Sequence, residues 1–301
     1  MVSVIIPTFK RKDLLFYEID RLLEQKNVSV EIIVVNDNIE NDPTDEILVK
    51  YPQVIYVKNP EKVGPGKKHQ IGMKLAHGEY VSFPDDDDYL CDEYFFSKAS
   101  ELLDKDNSLS FVSGNSYFKY EDKPENDQLE KHCINVKGKI NGLEYLSGFQ
   151  SKYSKPLSSF PTVFRRSTLE TQQFYNQIEM SDVSIYMLAL LGGDAYILED
   201  YVGVYRVHSR SLTKKHSDPT WILGVMRQKE SILEKIQDKI DNPSKWWLNQ
   251  FTLSYRFYAN TSTDRNNKLK LLRWGFSHSH GYFVVKSYII KQFIKAVVVN
   301  D

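Results

Sequence analysis

The sequence has few cysteines and no long hydrophobic run. Its two cysteines, Cys91 and Cys133, have the spacing of neither a metal-binding pair nor a redox pair. Such a composition is typical of a reducing compartment, so we expect a cytoplasmic protein. No window reaches the ~18 consecutive apolar residues of a membrane-spanning helix. The chain starts with a strand pattern rather than with a basic and then an apolar stretch, so we expect no signal peptide.

Neither sign of charge is in excess. The 39 lysines and arginines are balanced by 40 aspartates and glutamates. A general nucleic-acid binder needs a basic excess, so the charge balance gives no support for this class of function, and we expect no nucleic-acid partner. The hydrophobic content of 41% is ordinary for a globular protein, and 301 residues can bury one large core, or one core and a smaller appendage.

A glycine-rich phosphate loop is also missing. Neither G-x-G-x-x-G nor G-x-x-x-x-G-K-[ST] occurs in the chain. A nucleotide would therefore have to be bound by carboxylates, a metal ion and scattered basic groups. The absence counts against a nucleotidyltransferase, which would need a glycine-rich and basic loop where residues 7–11 stand.

The first hundred residues alternate between strand and helix patterns. Asp13 can cap a first helix, and a glycine-rich break at residues 64–66 precedes a helix predicted over residues 67–77. Alternation of this kind implies right-handed crossovers and a mostly parallel sheet, which binds ligands beyond the carboxyl ends of its strands. Short apolar runs predict the strands, at residues 2–7, 30–35, 54–57 and 80–83.

Polar residues with ligand chemistry follow three of these strands. Four consecutive carboxylates, Asp85 to Asp88, come directly after the fourth strand. Their mutual repulsion is most easily explained by a bound cation, and hard oxygen ligands suit Mg²⁺ or Mn²⁺, which can in turn hold a diphosphate. A solvated acidic turn is the alternative. Pro7-Thr8 and Asn36-Asp37 end two other strands, so we expect all three segments at one crevice.

These segments resemble the nucleotide-sugar half of the family 2 glycosyltransferases with the GT-A fold. The likeness continues with two later motifs, Met180-Ser181-Asp182 before an apolar helix and Tyr205-Arg206-Val207-His208. It covers about residues 2–215 and implies an α/β fold, in which helices flank a Rossmann-like, mostly parallel central sheet. The first part of the resemblance is carried by residues 2–11, 31–37 and 78–90.

The resemblance assigns three residues to the nucleobase. Pro7 and Thr8 match positions that contact the base, often through backbone atoms. Asp37 matches the carboxylate that receives the base N–H, while Asn36 stands where the family often has a further Asp. A turn or helix-cap role for Asp37 is the alternative.

The resemblance places the family's D-x-D motif on Asp85 and Asp87. Asp85 would bind ribose or sugar hydroxyls, and Asp87 would ligate Mn²⁺ or Mg²⁺. Asp86 and Asp88 would support these contacts or act as further ligands. His208 would complete the set of metal ligands, with a purely structural histidine as the alternative.

Basic residues are expected around the donor phosphates. His69-Gln70 occupies the place of an Arg-Asn pair in the family, so Lys67, Lys68 or His69 would donate to phosphate oxygens instead. Arg206 is a further candidate. The polar and basic loop at residues 209–216 is expected to fold over the donor as a lid.

Asp182 is the candidate general base. An inverting transfer needs one carboxylate to remove the proton of the acceptor hydroxyl as that oxygen attacks the anomeric carbon. Residues 183–191 predict a buried helix, so Asp182 would lie near its N-terminus, where a helix-cap role is the alternative. Glu179 is a second candidate for the base.

Taken together, the motifs predict a metal-dependent, inverting hexosyltransferase. It would move a hexose from a UDP-sugar to a hydroxyl of a growing glycan: a polysaccharide, a lipid-linked saccharide or a glycoprotein glycan. The expected domain spans residues 1–218, with a nucleotide-sugar half to about residue 110 and an acceptor half after it. A non-catalytic partner of the same fold, which stabilises another glycosyltransferase, is the alternative.

The C-terminal region, residues 219–301, is expected to be a helical appendage. Residues 265–300 contain seven lysines or arginines and no acid. Residues 282–299 alternate apolar residues with lysines, which is typical of an amphipathic helix on an anionic membrane surface, here at the inner face of the membrane. It is also typical of a helix that packs in a homo-oligomer interface or against the rest of the chain, the interpretation that we slightly favour from the sequence. The sequence leaves both interpretations open.

Overall fold

The computed structural model of the chain describes residues 1–37, 40, 42–121, 129–177, 179–208 and 219–298, without the side chains of residues 297 and 298. The chain forms two compact units, Met1–His208 and Ser209–Asp301. The predicted lid at residues 209–216 lies outside the described residues. The domain boundary predicted after residue 218 lies at the end of the same undescribed stretch and stays a prediction.

The first unit is built on one curled sheet. The strand order is β3-β2-β1-β4-β9-β6-β10-β5, with β7 beside β6 and β8 beside β10. Strands β3, β2, β1 and β4 are all parallel, and β9 runs antiparallel between β4 and β6. The strands are β1 (Val2–Pro7), β2 (Val30–Asp37), β3 (Ile55–Asn59), β4 (Tyr80–Ser82), β5 (Tyr89–Leu90), β6 (Leu109–Tyr120), β7 (Glu130–His132), β8 (Gly138–Ile140), β9 (Thr162–Arg165) and β10 (Asp194–Val207).

Helices flank this sheet, as expected for an α/β fold. Two short 3-10 turns, Pro43–Glu46 and Phe174–Asn176, complete the described regular structure of this unit. The helices are α1 (Lys12–Leu23), α2 (Ile47–Lys50), α3 (Gly64–Leu75), α4 (Phe95–Lys105), α5 (Gly142–Ser147), α6 (Arg166–Thr171) and α7 (Asp182–Gly192).

Two helix starts differ from the prediction. The residue before α1 is Arg11, and Asp13 lies inside the first turn, so its predicted cap role is wrong. An acidic residue is still favourable there, because it faces the positive end of the helix dipole. Helix α3 begins at Gly64 instead of Lys67, because Pro65 fits the first turn of a helix, where its missing N–H costs no hydrogen bond.

The core of the first unit holds the parallel strands in place. All six residues of β1 are buried, and Val2, Val4 and Ile6 share one core cluster with residues of α1 that have no exposed surface, Leu15, Ile19 and Leu22. Burying a leucine or isoleucine side chain contributes about 1.5–3 kcal/mol. The strand ends that carry the predicted site are therefore anchored by a well-packed core.

The second unit is helical in its described part, as predicted. Asn242 caps α9 and Asp264 caps α10, each through a side-chain oxygen that accepts a backbone N–H. Trp247 is fully buried and donates to the His278 carbonyl at 2.9 Å. The described chain contains no helix that combines the length and the apolar character needed to cross a bilayer. The helices are α8 (Pro219–Ile236), α9 (Pro243–Thr261), α10 (Arg265–Ser277) and α11 (Phe283–Val298).

Candidate active site

A cluster of carboxylates lies at the carboxyl end of β4. Strand β4 ends at Ser82, and Pro84, two residues on, has no N–H for a sheet. The chain then enters a turn in which Asp88 N donates to the Asp85 carbonyl at 3.4 Å. One carboxylate oxygen each of Asp85, Asp87 and Asp88 lies within 4.8 Å of the others. Three hard oxygen donors at this spacing could hold a divalent cation.

Burial makes this cluster unfavourable when it is fully ionised. Burial, and then repulsion from Asp87, raises the pKa of Asp85 to about 7. Burial also raises the pKa of Asp88 well above its ordinary value, with Asp87 and Asp85 adding to the effect. Asp88 Oδ1 accepts the Arg206 N–H at 3.0 Å, but its buried Oδ2 has no hydrogen-bond partner among the described residues. A divalent cation would supply the missing positive charge, so these residues fit the predicted metal.

Arg11, just after β1, binds two of the four carboxylates. Its Nη1 donates to Asp86 Oδ1 at 2.8 Å and to Asp87 Oδ2 at 2.6 Å. Thr8 Oγ1 donates to Asp86 Oδ2 at 2.7 Å, so both oxygens of Asp86 are engaged by residues that follow β1. These contacts orient the acidic turn. The predicted donor contacts of Thr8 and Asp86 stay predictions.

Asp37 and Lys68 form a buried ion pair at the end of β2. Lys68 Nζ lies 2.9 Å from Asp37 Oδ2 and donates to the Thr8 carbonyl at 2.7 Å. Asp37 Oδ1 accepts the Val63 N–H at 3.4 Å. Pro7, the last residue of β1, pairs with β2 in register. The structure thus brings β1, β2 and α3 together, and the Lys68 ammonium forms an ion pair with the Asp37 carboxylate.

The end of β10 adds a histidine and an arginine. His208 is buried, and its Nε2 lies 3.0 Å from Asp87 Oδ2. The Arg206 guanidinium lies over the rings of Tyr17 and Tyr89, 4.7 and 4.9 Å from their centroids. His208 is therefore beside the predicted metal ligand, whereas the Arg206 side chain packs between aromatic rings. Its predicted phosphate contact stays a prediction.

Gly66 allows α3 to approach the segment before α7. A Cβ at this position would lie 2.8 Å from the Met180 carbonyl oxygen and 2.9 Å from the Met180 Cβ, which is closer than real side chains come. Further along α3, Gln70 Nε2 donates to the Gln177 carbonyl at 2.8 Å. Both contacts fix the segment that leads to Asp182.

Asp182 is the first residue of α7. Ser181 is the N-cap, because its Oγ accepts the Ser184 N–H at 3.2 Å, so capping does not explain Asp182. Asp182 Oδ1 accepts the adjacent Val183 N–H at 2.7 Å. The helix dipole favours an anion at this end. Glu179 lies in the preceding bend, and burial raises the pKa of its carboxyl.

Residues 155–159 connect Asp182 with the carboxylate cluster. Lys155 Nζ lies 2.6 Å from Asp182 Oδ2, and Ser158 Oγ donates to Asp85 Oδ2 at 2.9 Å. Ser158 has a φ of 57°, a left-handed conformation that is uncommon outside glycine. The Asp182 charge also contributes to the raised pKa of Asp85. The two carboxylates are therefore near neighbours across this segment.

His69 lies in a buried setting within electrostatic range of Asp182. Its ring packs edge-on against Phe83, with the centroids 5.3 Å apart, and neither ring nitrogen has a hydrogen-bond partner among the described residues. Burial lowers the pKa of His69 to about 4, although the Asp182 charge acts in the opposite direction. A neutral imidazole can donate from one nitrogen only. Lys67, in contrast, is exposed, with its Nζ 3.3 Å from Gln70 Oε1.

Sequence reasoning does not single out Arg11, Lys155, Ser158 or Glu18. Arg11 follows β1, and the four aspartates follow β4, the parallel neighbour of β1, so a basic residue at this strand end was an available signal. Glu18 falls on the helical face of α1 that is otherwise apolar, and burial raises its pKa well above the ordinary value. Lys155 and Ser158 stand in a stretch with no motif or periodicity, so no local signal marks them.

Solved structures share this fold. Residues 1–349 of Staphylococcus aureus TarS in complex with UDP-GlcNAc match 97% of this chain and 92% of that one, with a TM-score of 0.61 and 16% identity. A mannosyltransferase from Pyrobaculum calidifontis in complex with GDP-Man and Mn²⁺ matches 100% of this chain and 88% of that one, with a TM-score of 0.50 and 17% identity. At such identities the likeness shows the fold alone, and the predicted GT-A fold is confirmed.

A family profile identifies the family, and a related sequence agrees with it. A Campylobacter jejuni protein named GalNAc(5)-diNAcBac-PP-undecaprenol beta-1,3-glucosyltransferase is 29% identical over 218 residues, which are 68% of this chain and 64% of that protein. The match thus spans less than two thirds of that relative's length. The profile described as glycosyl transferase family 2 matches residues 3–169, more than half of the chain. The chain therefore belongs to glycosyl transferase family 2.

Proposed function

We propose that this protein is a metal-dependent, inverting glycosyltransferase that moves a hexose from a UDP-sugar to a hydroxyl of a growing glycan. The observation that carries the proposal is the position of Asp182 beside the carboxylate cluster. Lys155 contacts Asp182 and Ser158 contacts Asp85, three residues apart on one short segment. A donor bound at the cluster and an acceptor hydroxyl at Asp182 would meet between these two carboxylates.

On the donor side, Asp85, Asp87 and Asp88 would hold Mn²⁺ or Mg²⁺, with His208 beside Asp87. When bound, such a cation supplies positive charge that stabilises a leaving diphosphate. The chain's own contribution is to hold the acidic turn in one arrangement through Arg11. The UDP-GlcNAc complex of TarS supports a uridine nucleotide, and the Mn²⁺ complex of the mannosyltransferase supports the metal.

On the acceptor side, Asp182 accepts the proton of the attacking hydroxyl. The acceptor oxygen bonds to the anomeric carbon while the bond from that carbon to the diphosphate oxygen breaks, and the hydroxyl proton goes to the Asp182 carboxylate. One displacement inverts the anomeric configuration and needs no nucleophile from the protein. The Campylobacter relative is named a beta-1,3-glucosyltransferase, and a β-bond made from an α-linked sugar nucleotide is such an inversion.

The acceptor we propose is a sugar hydroxyl on a lipid-linked saccharide or on a polymer glycan. The name of the Campylobacter relative specifies a saccharide on undecaprenol diphosphate. The Staphylococcus relative TarS is named a poly(ribitol-phosphate) beta-N-acetylglucosaminyltransferase, which acts on a polymer. Both names support a hydroxyl on a long or lipid-anchored chain.

Release of nucleotide diphosphate tests the proposal. Wild type, Asp87→Ala and Asp182→Ala are incubated with a panel of UDP-sugars and GDP-sugars in Mn²⁺, Mg²⁺ or EDTA. We expect slow, metal-dependent hydrolysis of one UDP-sugar, lost in both variants and retained in Lys74→Ala, which changes an exposed side chain on α3. In calorimetry, Asp182→Ala should still bind UDP with Mn²⁺, whereas Asp87→Ala should not.

Each other result has a definite meaning. Hydrolysis of a GDP-sugar in place of a UDP-sugar would contradict the uridine donor. Hydrolysis that persists in EDTA would contradict the metal. Wild-type binding of UDP with Mn²⁺, but no release even with lipid-linked and polymer acceptors, would favour the non-catalytic partner. If the wild type neither binds UDP nor releases it from any donor, the proposed donor site is wrong.

A further inference from the structure

The last two helices of the second unit expose large apolar side chains. Phe276 on α10 and Phe283, Val284, Ile290 and Ile294 on α11 are 43–83% exposed. They are five of the twelve large hydrophobic side chains that are exposed in the described part of the chain. Scattered single apolar residues are normal on a protein surface, but a concentration on one helix pair is not.

The exposed apolar residues of α11 are not the ones that its folding requires. Val285 and Ile289 are buried, and α11 packs against α9 and α10. Phe283, Ile290 and Ile294 follow one another at helical intervals of seven and four residues, which places them along one stripe. Helix α11 therefore has a core face and, in addition, an exposed apolar face.

Basic residues accompany this exposed face. Lys291 and Lys295 directly follow Ile290 and Ile294 and are exposed like them. No carboxylate forms an ion pair with either lysine among the residues that the structure describes. Residues 265–300 contain no acid at all. We define the α10–α11 face as a set of exposed residues on these two helices. It consists of Lys270, Arg273 and Phe276 on α10, and of Phe283, Val284, Ile290, Lys291, Ile294 and Lys295 on α11.

The two helices of the α10–α11 face are joined at its centre. Lys286 on α11 is half-buried, and its Nζ lies 5.7 Å from the centroid of the Phe276 ring on α10. This cation–π contact covers part of one ring and connects the helices. On α10, Lys270, Arg273 and Phe276 recur at intervals of three residues and are all exposed. The apolar and basic side chains of both helices thus belong to one surface.

We infer that the α10–α11 face binds the surface of an anionic lipid bilayer. Apolar side chains gain free energy by entering the boundary between headgroups and acyl chains, and nearby lysines and arginines gain from anionic headgroups. A second copy of the chain fits this face poorly, because a two-fold interface would bring the same acid-free surface against itself and cations against cations. Charge complementarity therefore favours lipid as the occupant.

Vesicle flotation of the full chain tests the inference without donor or metal, so the result is independent of the proposed transferase. Wild type should float with vesicles of phosphatidylcholine and phosphatidylglycerol, but not with phosphatidylcholine alone, and should be released by high salt. Each lysine near an anionic surface raises partitioning about fivefold, so Lys291→Gln/Lys295→Gln should lower it roughly 25-fold. Ile290→Ser/Ile294→Ser should also lower it.

Matched controls alter equally exposed residues elsewhere. Lys105→Gln/Lys137→Gln removes two exposed lysines from the first unit, and Leu48→Ser/Val49→Ser removes two exposed apolar side chains from α2. Both controls should float like wild type, and circular dichroism should show the same helix content in all variants.

Three outcomes would overturn the inference. Wild type that does not float with anionic vesicles is the first. Face variants and controls that lose binding equally are the second. The third is a dimer in sedimentation velocity that the face variants dissociate, without any vesicle binding, which would make a second copy the occupant.

Discussion

The Lys155 ammonium lies 2.6 Å from Asp182 Oδ2, although the two residues are 27 positions apart in the sequence. Lys155 Nζ also donates to the Pro156 carbonyl at 2.9 Å and lies 6.0 Å from the centroid of the Tyr186 ring. The carboxylate that we propose as the general base is thus oriented by a lysine. Because Ser158 of the same segment contacts Asp85, Lys155 is a positioning residue that sets the base relative to the donor site.

Replacing Lys155 with Met should lower kcat about 100-fold and leave the donor KM nearly unchanged, because a misplacement of the base by about 1 Å has an effect of this size. Lys155→Arg, which keeps the charge, should recover part of the loss. Steady-state kinetics with the UDP-sugar that is hydrolysed in the release assay measures kcat and KM for each variant. Lys152→Met, at a more exposed lysine nearby, serves as the control. An unchanged kcat in Lys155→Met would show that the ion pair does not orient the base.

Replacing Asp88 with Asn should stabilise the metal-free protein and weaken its response to Mn²⁺. The amide oxygen still accepts the Arg206 N–H, while a buried charge that Asp87 and Asp85 repel is removed. We expect the free energy of unfolding in EDTA to rise by about 1 kcal/mol. The increase in Tm on adding Mn²⁺ should shrink, because one ligand is weakened.

Thermal and chemical unfolding in EDTA and in Mn²⁺ measures both effects. Asp200→Asn, at an exposed carboxylate of β10, should change neither quantity. A full Mn²⁺ response in Asp88→Asn would mean that Asp88 does not ligate the metal.

His69 should make the protein sensitive to acid. Its pKa is 6.5 in the unfolded chain and about 4 in the folded protein because of burial. Below pH 6.5 the unfolded state takes up a proton that the folded state does not, so the free energy of unfolding falls as the pH falls from about 6.5 to about 4. A pKa difference of about 2.5 corresponds to roughly 3 kcal/mol.

Urea denaturation at a series of pH values measures this slope. His69→Leu should flatten the slope between pH 6.5 and 4 relative to wild type. His77→Gln, at an exposed histidine paired with Glu31, should keep most of it, because exposed ion pairs contribute less than about 1 kcal/mol. Identical slopes for wild type and His69→Leu would show that His69 is protonated as easily in the folded protein as in the unfolded chain.

A methyl group at Gly66 should impair turnover without preventing donor binding. The new Cβ would meet the Met180 backbone at 2.8 Å, and backbone cannot rotate away as a side chain can. The segment before Asp182 must then shift, and we expect kcat to fall about tenfold while calorimetry still shows UDP binding. Lys74→Ala, at an exposed residue further along α3, should retain wild-type kcat. Loss of UDP binding in Gly66→Ala would place the effect on α3 itself.

Local patterns predict much of the donor half. Strands β1 and β2 are readable because both of their faces are buried, which produces continuous apolar runs. The convergence of Thr8, Asp37 and the acidic turn follows from parallel pairing, which brings carboxyl ends to one edge of the sheet. The start of α3 at Gly64 could not be predicted from the sequence, because glycine and proline are common both in a loop before a helix and in the first turn of a helix.

The chain by itself determined the alternation of strands and helices in the first hundred residues, the acidic turn after β4 and the acid-free C-terminal helices. Each of these features depends on residues that are close together in the sequence, so composition and spacing are enough to predict it. Only the tertiary structure decided that Arg11 pairs with Asp86 and Asp87, that Lys68 pairs with Asp37, and that Lys155 pairs with Asp182. Such partners are set by the path of the backbone between distant segments and by the packing that excludes water there, and no local pattern encodes either.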